Sequence, residues 1–399
     1  MRGVNLGDKS LYQRIDADAY LNYAAVSPPG EHVREAFSSC LDVFSHKGVG
    51  AALPQFEARE SLRVKLGELI HAARPEHEIA FMPNTTSGVI ACARALKWSK
   101  GDRILVFDGD FPANVLPWQD VARAHELEIV WGDLRQAFEG DLTAIEAQLK
   151  QGLRLVAISA VTFQTGWQMP LGALGALCAK YGAELFVDAI QACGVMPLDV
   201  QRDNISYLAC GGHKWLMGTE GAGFLYVSSE ALENSLERAM VGWLSPEEPF
   251  DFLSQGSGHL RYDKCFKESA SFLEVGAMNA MGYAGLSASV DALLYLGVDR
   301  IFEHVNTYLD RVEEGLVALP GVRSVRGSER ATQTGALCLE VDLPQGMALS
   351  DFSARLGERG VAVSTPDGYV RLAPHWPNSF DEIPLVLESF AAVLAGEHS

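Results

Sequence analysis

The stretch that decides the fold runs from Tyr181 to Val227 and reads YGAELFVDAIQACGVMPLDVQRDNISYLACGGHKWLMGTEGAGFLYV. Its first apolar run, residues 185–187, ends on Asp188, and its second, residues 205–210, ends before a Gly-Gly-His-Lys segment whose lysine is Lys214. Short apolar runs that end on polar residues are typical of buried strands in an open α/β sheet, where ligands bind beyond the carboxyl ends. The pattern therefore predicts that Asp188 and Lys214 lie at one ligand site.

A lysine and a carboxylate at one site suit a cofactor that carries an aldehyde on a pyridine ring. The amine forms a Schiff base with the aldehyde, and the carboxylate keeps the ring nitrogen protonated, so that the ring accepts electrons. Glycines before the lysine let the backbone approach a bound group closely. A plainer interpretation is also open, in which Asp188 caps the next helix and Lys214 is a solvated loop residue.

Composition predicts a globular protein with room for two or three domains. The chain has 399 residues, of which 48% are hydrophobic, with a formal net charge of −19 and a pI near 4.9. This acidity argues against nucleic acid as a partner. No apolar run approaches the roughly 18 residues of a membrane helix, and the start of the chain lacks a signal-peptide core. We therefore expect a cytoplasmic protein with no membrane partner.

The seven cysteines are scattered and mostly set in apolar surroundings. They form neither a zinc-binding pattern nor a disulfide framework, so we expect reduced core residues and no metal site.

Alternating apolar runs and helix-length segments predict an α/β fold with a largely parallel, seven-stranded sheet. Helices are also predicted before this region, from Glu31 and over residues 54–70. The predicted strands are 78–82, 102–108, 127–131, 153–161, 184–187, 205–210 and 222–228, and the helical segments between them include 114–125, 141–151 and 170–181.

Changes of pattern divide the chain into an N-terminal arm, residues 1–20, a large domain, residues 21–272, and a helical link with a smaller C-terminal α+β domain, residues 273–399. Residues 245–272 lose the alternation and gather Pro and Gly, which is typical of a functional or interface loop region. Two consecutive helices are predicted within 274–319. The predicted elements of the small domain are strands 322–326, 335–342, 361–364 and 368–373, and helices 348–359 and 381–395.

Three further segments carry candidate ligand-binding residues. Thr85 and Thr86 lie between a predicted strand and helix, where hydroxyls and free amides suit a phosphate, although Thr85, Thr86 or Ser87 could equally cap the helix. Phe111 follows the strand 102–108, so its ring could stack on a pyridine ring or pack in the core. Arg371 alternates with apolar residues in a C-terminal strand, where it could bind a substrate carboxylate or form a surface ion pair.

Together these residues resemble the class V aminotransferase family of fold type I pyridoxal-phosphate enzymes, which includes cysteine desulfurases, isopenicillin N epimerase-like proteins and, more distantly, kynureninases. The resemblance spans about residues 20–395 and is most specific over Val187-Asp188-Ala-Ile-Gln191 and Gly212-His213-Lys214. It implies the cofactor pyridoxal 5′-phosphate (PLP), bound covalently by Lys214. It further implies that Asp188 pairs with the pyridine nitrogen, Gln191 bonds the phenolic oxygen, His213 and Thr86 bind phosphate, Phe111 stacks on the ring and Arg371 binds the substrate carboxylate.

Departures from the family pattern narrow the expected activity. Desulfurases carry a nucleophilic cysteine shortly before the substrate arginine, but residues 360–367 contain none. Gly211 stands where relatives place a phosphate-binding serine, and Ala277 replaces a threonine that reaches the phosphate of the partner subunit. Phe163 stands where an asparagine or histidine usually faces the cofactor. For the phosphate contacts missing at Gly211 and Ala277, we expect either that they are fewer or that residues 255–272 supply them.

The resemblance therefore favours an aminotransferase that acts on an amino acid and forms a homodimer. A carbon–sulfur β-lyase that needs no cysteine nucleophile is the first alternative, and an amino acid epimerase is the second. A silent binding module would leave the lysine, acid, glutamine and arginine unexplained. A nicotinamide dehydrogenase lacks support because no Gly-x-Gly-x-x-Gly follows the first strand.

Overall fold

The computed structural model describes residues 4–396, so the first three residues of the predicted arm and the last three of the chain lie outside it. Its strands, in chain order, are β1 Ala19–Tyr20, β2 Ile79–Met82, β3 Arg103–Asp108, β4 Glu128–Asp133, β5 Leu155–Ser159, β6 Glu184–Asp188, β7 Tyr207–Gly211, β8 Gly223–Val227, β9 Val322–Ser324, β10 Leu337–Val341, β11 Val361–Ala362 and β12 Val370–Leu372.

The helices follow the predicted apolar spacing, with short helices added in the connections. In chain order they are α1 Glu31–Lys47, α2 Ala52–Leu69, α3 Pro75–Glu78, α4 Thr85–Ala95, α5 Leu116–His125, α6 Leu134–Phe138, α7 Thr143–Lys150, α8 Leu171–Tyr181, α9 Ser229–Asn234, α10 Asp251–Ser254, α11 Ala280–Leu296, α12 Val298–Val317, α13 Leu349–Glu358 and α14 Ile383–Leu394.

The predicted α/β fold with a mostly parallel, seven-stranded sheet is confirmed. Within the described residues the sheet has the strand order β2-β8-β7-β6-β5-β3-β4. The five neighbouring strands β7, β6, β5, β3 and β4 pair in parallel. Strand β8 runs antiparallel to both β2 and β7. Side chains that alternate along β6 enter two cores on opposite faces, as Phe186 and Val187 illustrate.

The register of the sheet brings several strand ends to one edge. Ser159 at the end of β5 pairs with Asp188 at the end of β6, and Asp188 pairs with Ala209 of β7. Strand β7 then ends at Gly211, three residues before Lys214. The candidate acid and the candidate lysine are therefore carried by neighbouring parallel strands that end at the same edge.

The C-terminal part contains a second sheet, with the antiparallel order β12-β10-β9. The strand predicted at 361–364 forms as β11, but it lies outside this sheet and pairs in parallel with β1. Residues from the predicted arm therefore contact the C-terminal part, and Gly7 also donates its backbone N–H to the carbonyl of Trp376 at 2.7 Å.

The predicted helical link forms as α11 and α12, which bend by 80° at Gly297. No single helix within residues 4–396 is both long and apolar enough to cross a membrane, and these two meet that test only as a joined, bent pair. Between β8 and α11 the chain is largely irregular, apart from α9, α10 and a short turn of 3₁₀ helix at Ala270–Leu273.

Candidate active site

Lys214 lies in the turn after β7, and a glycine before it sets the path of that turn. Gly212 donates its backbone N–H to the carbonyl of Ala222 at 2.8 Å, and a Cβ atom on Gly212 would lie 2.5 Å from the same oxygen. Burial lowers the pKa of Lys214 to about 8, with a contribution from Arg371, and outweighs the opposing effect of Asp188. The site therefore holds an amine that loses its proton more readily than a solvated lysine.

Asp188 ends β6, and its side chain is almost fully buried. Its Oδ1 accepts a hydrogen bond from the N–H of Ile190 at 2.9 Å, and the segment that follows forms turns, so Asp188 orders a turn and does not cap a helix. Burial raises the pKa of this carboxyl to about 7, and the nearby carboxyl of Asp110 adds to the shift. A cationic ligand beside Asp188 would favour the charged carboxylate.

Gln191 lies three residues after Asp188 and is buried. Its Oε1 accepts a hydrogen bond from Nε1 of Trp215 at 2.9 Å, and its Nε2 donates to the carbonyl of Ala24 at 3.1 Å. Sequence reasoning did not single out Trp215, although its place directly after Lys214 was a signal that it belongs to the site. The structure thus brings Gln191 into contact with the residue adjacent to the candidate lysine.

The predicted anion site coincides with the N-terminus of α4, which begins at Thr85. Asn84 caps this helix, because its Oδ1 accepts a hydrogen bond from the N–H of Ser87 at 2.8 Å. The alternative in which Thr85, Thr86 or Ser87 acts as the cap is therefore wrong. Since the first N–H groups of a helix have no acceptor within it, those of Thr85 and Thr86 are left for an anionic ligand.

Thr85 is buried, and its hydroxyl lies against Gly211. Thr85 Oγ1 accepts a hydrogen bond from the N–H of Gly211 at 2.9 Å, which joins the start of α4 to the end of β7. A Cβ atom on Gly211 would lie 3.2 Å from Nδ1 of His213 and 3.3 Å from Oγ1 of Thr85. A side chain at this position would therefore require these neighbours to shift by a few tenths of an ångström. Burial and the charge of Lys214 lower the pKa of His213, which favours a neutral ring.

Phe111 follows β3, and its ring lies beside Lys214. The Nζ atom of Lys214 is 5.7 Å from the centroid of this ring, and the side chain is 42% exposed, so the alternative of a core residue is wrong. The ring of Phe163 meets it edge to face, with 5.2 Å between the centroids. Two aromatic rings therefore line this side of the candidate site.

Asp110 is a buried carboxyl that sequence reasoning did not assign, although it stands between a strand end and Phe111. It accepts hydrogen bonds from the hydroxyl of Ser159 at 2.6 Å, from Nδ2 of Asn114 at 3.0 Å and from the N–H of Phe111 at 2.7 Å. These bonds fix the loop that carries the Phe111 ring against the end of β5. Burial raises the pKa of the Asp110 carboxyl despite these donors.

Arg371 lies in β12 and is only 5% exposed. Its Nη1 donates to the carbonyl of Phe163 at 2.7 Å, and its Nε donates to Oγ of Ser364 at 3.2 Å. Both acceptors are neutral, so the alternative of a surface ion pair is wrong. The charge of Arg371 contributes to the lowered pKa of Lys214, which places the guanidinium within electrostatic reach of the amine.

A groove of about 980 Å³ lies between α4 and α5, next to the candidate site. Thr86 and Phe111 line it together with apolar residues that include Ile90 and Leu116, whereas Lys214 does not. The groove therefore shares residues with the predicted phosphate and ring positions, but the lysine does not line it.

Ala277 and the 255–272 region are the parts of the chain that were linked above to missing phosphate contacts. Ala277 is exposed, between the 3₁₀ turn Ala270–Leu273 and α11. In the region expected to replace missing contacts, Arg261 pairs with Asp263, and Lys264 pairs with Asp251 of α10. Two of its cations are therefore engaged by carboxylates of their own chain.

All seven cysteines are free thiols, and six are buried as expected, whereas Cys265 is exposed. Residues 4–396 contain no group of three or more His, Cys, Asp or Glu side chains that could hold a metal ion.

Comparison with known proteins connects this geometry to a family. The family model described as aminotransferase class-V matches residues 20–372. An uncharacterised aminotransferase, YcbU, of Bacillus subtilis (strain 168) is 25% identical over 398 residues, which cover 96% of each chain. A probable cysteine desulfurase of Chlamydia muridarum is 30% identical over 360 residues, which cover 87% of this chain and 84% of the relative.

Solved structures show the same fold. The apo cysteine desulfurase of Thermococcus onnurineus NA1 superposes with a TM-score of 0.81 at 25% identity, covering 95% of both chains. A C-DES variant with glycine covalently linked to its PLP cofactor superposes with a TM-score of 0.86 at 23% identity, covering 96% of this chain and 99% of that one.

The chain therefore belongs to the class V aminotransferase family. Members of this family are PLP-dependent enzymes, so the predicted enzyme class and cofactor are confirmed.

Proposed function

We propose that this enzyme is an aminotransferase whose substrate is an α-amino acid, with Arg371 as the carboxylate-binding residue and Lys214 as the acid/base group. The observation that carries this proposal is the buried guanidinium of Arg371, which has neutral partners and lies within electrostatic reach of Lys214. A buried charge is costly unless it is paired, so this site suits an anionic ligand.

The hydrogen bonds of Arg371 indicate which anion it would hold. A guanidinium has five N–H donors, and the contacts with Phe163 and Ser364 use two of them. The remaining donors include both hydrogens of Nη2 and one of Nη1, a pair of nitrogens that matches the two oxygens of a carboxylate. We therefore assign the α-carboxylate of the substrate to Arg371.

The residues present fit PLP. Lys214 provides the amine that would hold the aldehyde carbon, and Asp188 provides a buried carboxyl for the pyridine nitrogen. The N-terminus of α4 offers the N–H groups of Thr85 and Thr86 to the phosphate, with His213 beside them. When bound, the cofactor supplies an electron-accepting ring that stabilises negative charge at the substrate Cα.

The same residues can move the proton that the reaction requires. With the cofactor bound, Nζ of Lys214 would be the group that removes the proton from the substrate Cα. Its lowered pKa favours this base role near neutral pH. Phe111 and Phe163 place apolar rings on this side of the site and provide no second proton carrier.

A single proton carrier is sufficient for transamination, in which Nζ of Lys214 would both take up and deliver the transferred proton. The second candidate is a C–S β-lyase, because relatives that cover most of the chain are described as probable cysteine desulfurases. A thiolate leaves without a strong acid, so this reaction also needs no second proton carrier. Persulfide formation on a mobile cysteine is not proposed, because residues 360–367 contain no cysteine. Return of the proton to Cα would give the epimerase alternative.

Removing the amine of Lys214 tests the cofactor assignment. We expect Lys214→Ala to lose the visible absorbance of the lysine-bound cofactor and all activity. Lys180→Ala, which changes an exposed lysine at the end of α8, should keep both. A Lys214→Ala protein with an unchanged spectrum would refute the assignment.

The products of the purified holoenzyme separate the three reactions. With single amino acids we expect a keto acid and conversion of the cofactor to its amine form, which identifies transamination. Sulfide or free thiol from cysteine or cystine would instead support the β-lyase. Deuterium exchange at Cα without either product would exclude both of the first two candidates.

We further propose that the enzyme is a homodimer, that its domains meet near residue 272 and that it acts in the cytoplasm. Limited proteolysis would check the boundary, because cleavage confined to sites far from residue 272 would argue against it. Cell fractionation would check the location, and recovery of the protein in the membrane fraction would contradict it.

A further inference from the structure

Gln191 makes two hydrogen bonds in this structure, one to a group that can only donate and one to a group that can only accept. The indole Nε1 of Trp215, 2.9 Å from Gln191 Oε1, is a donor only. The carbonyl oxygen of Ala24, 3.1 Å from Gln191 Nε2, is an acceptor only. Both contacts therefore require the same orientation of the amide, with its oxygen toward Trp215. The second hydrogen of Nε2 is left for another acceptor.

Trp215 is itself held firmly. Its side chain is fully buried, and its carbonyl accepts a hydrogen bond from Nε2 of His375 at 2.9 Å. The other ring nitrogen, Nδ1, accepts from the N–H of Trp376 at 2.7 Å, so the proton of the neutral ring resides on Nε2. Burial lowers the pKa of His375 to about 3, which keeps this arrangement at neutral pH.

Glycines leave the space that Trp215 fills. A Cβ atom on Gly335 would lie 2.9 Å from Cη2 of the indole, and a Cβ atom on Gly194 would lie 2.4 Å from the Trp215 carbonyl oxygen. The indole therefore has little freedom to move away from Gln191, and its N–H remains directed at the amide oxygen.

We propose that Trp215 is a positioning residue that fixes the amide of Gln191 so that its NH₂ group faces the phenolic oxygen of PLP. This inference rests on the proposed function, because it takes Gln191 as the cofactor ligand. Asp188 would bind the pyridine nitrogen and Lys214 the aldehyde. Trp215 would act, through Gln191, on the phenolic oxygen. Without the indole N–H, only the carbonyl of Ala24 would hold the amide, so its NH₂ group would be less firmly directed at the phenolic oxygen.

The absorbance of the holoenzyme reports this contact without any turnover. In the lysine-bound cofactor a proton is shared between the Lys214 nitrogen and the phenolic oxygen, and a donor on that oxygen competes with it. Loss of the donor should raise the midpoint of the visible pH titration. We expect Trp215→Phe to raise the midpoint by about half to one pH unit, the size expected for one hydrogen bond.

Trp376→Phe is the matched control. Trp376 is equally buried, but its indole Nε1 has no hydrogen-bond partner among the described residues. This variant removes a buried indole N–H that orients no amide, so its titration midpoint should equal that of the unmodified enzyme. Equal midpoints for Trp215→Phe and Trp376→Phe would overturn the inference.

Gln191→Leu distinguishes the inference from the function on which it rests. We expect Gln191→Leu to raise the midpoint, and Trp215→Phe to add no further shift in that background. If Gln191→Leu is yellow but has an unchanged midpoint, PLP binding stands and the positioning role fails. If the unmodified enzyme has no such absorbance, the proposed function fails first.

A second measurement applies if Trp215→Phe does not fold. In holoenzyme labelled with ¹⁵N-tryptophan, the indole signal of Trp215 should move on substitution of Gln191 by Leu, whereas that of Trp376 should not. An unmoved Trp215 signal would overturn the inference.

Discussion

At the scale of single residues, the surroundings of Lys214 set the pH at which its amine becomes a nucleophile. Burial lowers its pKa to about 8, against an ordinary value of 10.5. Only the neutral amine attacks an aldehyde. We therefore expect the rate at which apoprotein takes up PLP to rise with pH, to reach half of its maximum near pH 8 and to level off at higher pH. Stopped-flow recording of the visible absorbance between pH 6.5 and 10.5 measures this rate.

The controls for this experiment isolate the lysine. The reaction of PLP with Nα-acetyl-lysine, followed in parallel, corrects for ionisation of the cofactor itself. Arg371→Gln removes a positive charge that lowers the pKa of Lys214, so the midpoint should move to higher pH. A rate that keeps rising to pH 10 in the unmodified protein would contradict the role given to burial.

At the scale of elements, the hydrogen bond between Thr85 and Gly211 couples the start of α4 to the end of β7. Thr85→Val keeps the shape of the side chain but leaves the buried N–H of Gly211 without its acceptor, at a cost of about 1–3 kcal/mol. Thr86 is exposed at the next position, so Thr86→Val should change stability by less than about 0.5 kcal/mol. Urea unfolding of the two apoproteins measures the difference.

The affinity of Thr85→Val and Thr86→Val for PLP provides a second measurement. Both variants should bind PLP more weakly, Thr86→Val through a lost phosphate contact and Thr85→Val through displacement of the helix N-terminus. Equal stability of the two apoproteins would show that the Thr85–Gly211 bond does not hold α4 to β7. Unchanged affinity in both would show that neither threonine hydroxyl contributes to phosphate binding, which would leave the backbone N–H groups of α4 as its donors here.

The elements that sequence predicts here are those defined by local pattern. Strands such as β6 are read from an apolar run with a polar end, because every side chain of a doubly covered strand is buried. The pairing of β11 with β1 could not be predicted, because these short strands lie some 340 residues apart and share no local signal. The register that joins Asp188 to Ser159 is equally a tertiary result.

Some residues of the candidate site are likewise predicted by a local pattern, whereas other features of the site depend on tertiary packing. Lys214 and Asp188 stand out because each closes a β-like run with a chemically distinctive group. The hydrogen bond from Trp215 to Gln191 spans 24 residues and depends on how two turns pack, so it has no signature in the sequence. The close approach of Thr85 and His213 to Gly211 likewise results from tertiary packing and has no signature in the sequence.

At the scale of the whole molecule, the site depends on how the C-terminal part docks on the main sheet. The segment 163–167 makes several hydrogen bonds across this contact. Besides the bond from Arg371 to the Phe163 carbonyl, Nε1 of Trp167 donates to the carbonyl of Val325 at 2.9 Å, and Nε2 of Gln164 donates to Asp367 at 2.6 Å. The same segment that lines the candidate site with Phe163 therefore also fixes the position of Arg371, the proposed substrate-binding arginine.

The proposed homodimer is supported by apolar side chains exposed between β8 and α11. Leu253 is 67% exposed, Leu260 61% and Tyr262 93%, and Trp243 is nearly half exposed. Clusters of exposed apolar residues mark interaction surfaces in soluble proteins. We therefore expect sedimentation equilibrium to give a dimer, and the double substitution Leu253→Glu with Leu260→Glu to shift it toward monomer, since a buried interface tolerates unpaired charge poorly.

The consequence for cofactor binding makes this prediction specific. If residues of the 245–272 region complete the partner subunit's site, the monomeric double variant should retain less PLP after dialysis than the dimer does. Val317→Glu changes an exposed apolar residue on α12, outside this region, and should alter neither assembly nor retention. A monomer that keeps its full complement of PLP would show that each chain holds the cofactor by itself, and that the contacts missing at Gly211 and Ala277 are replaced from within one subunit.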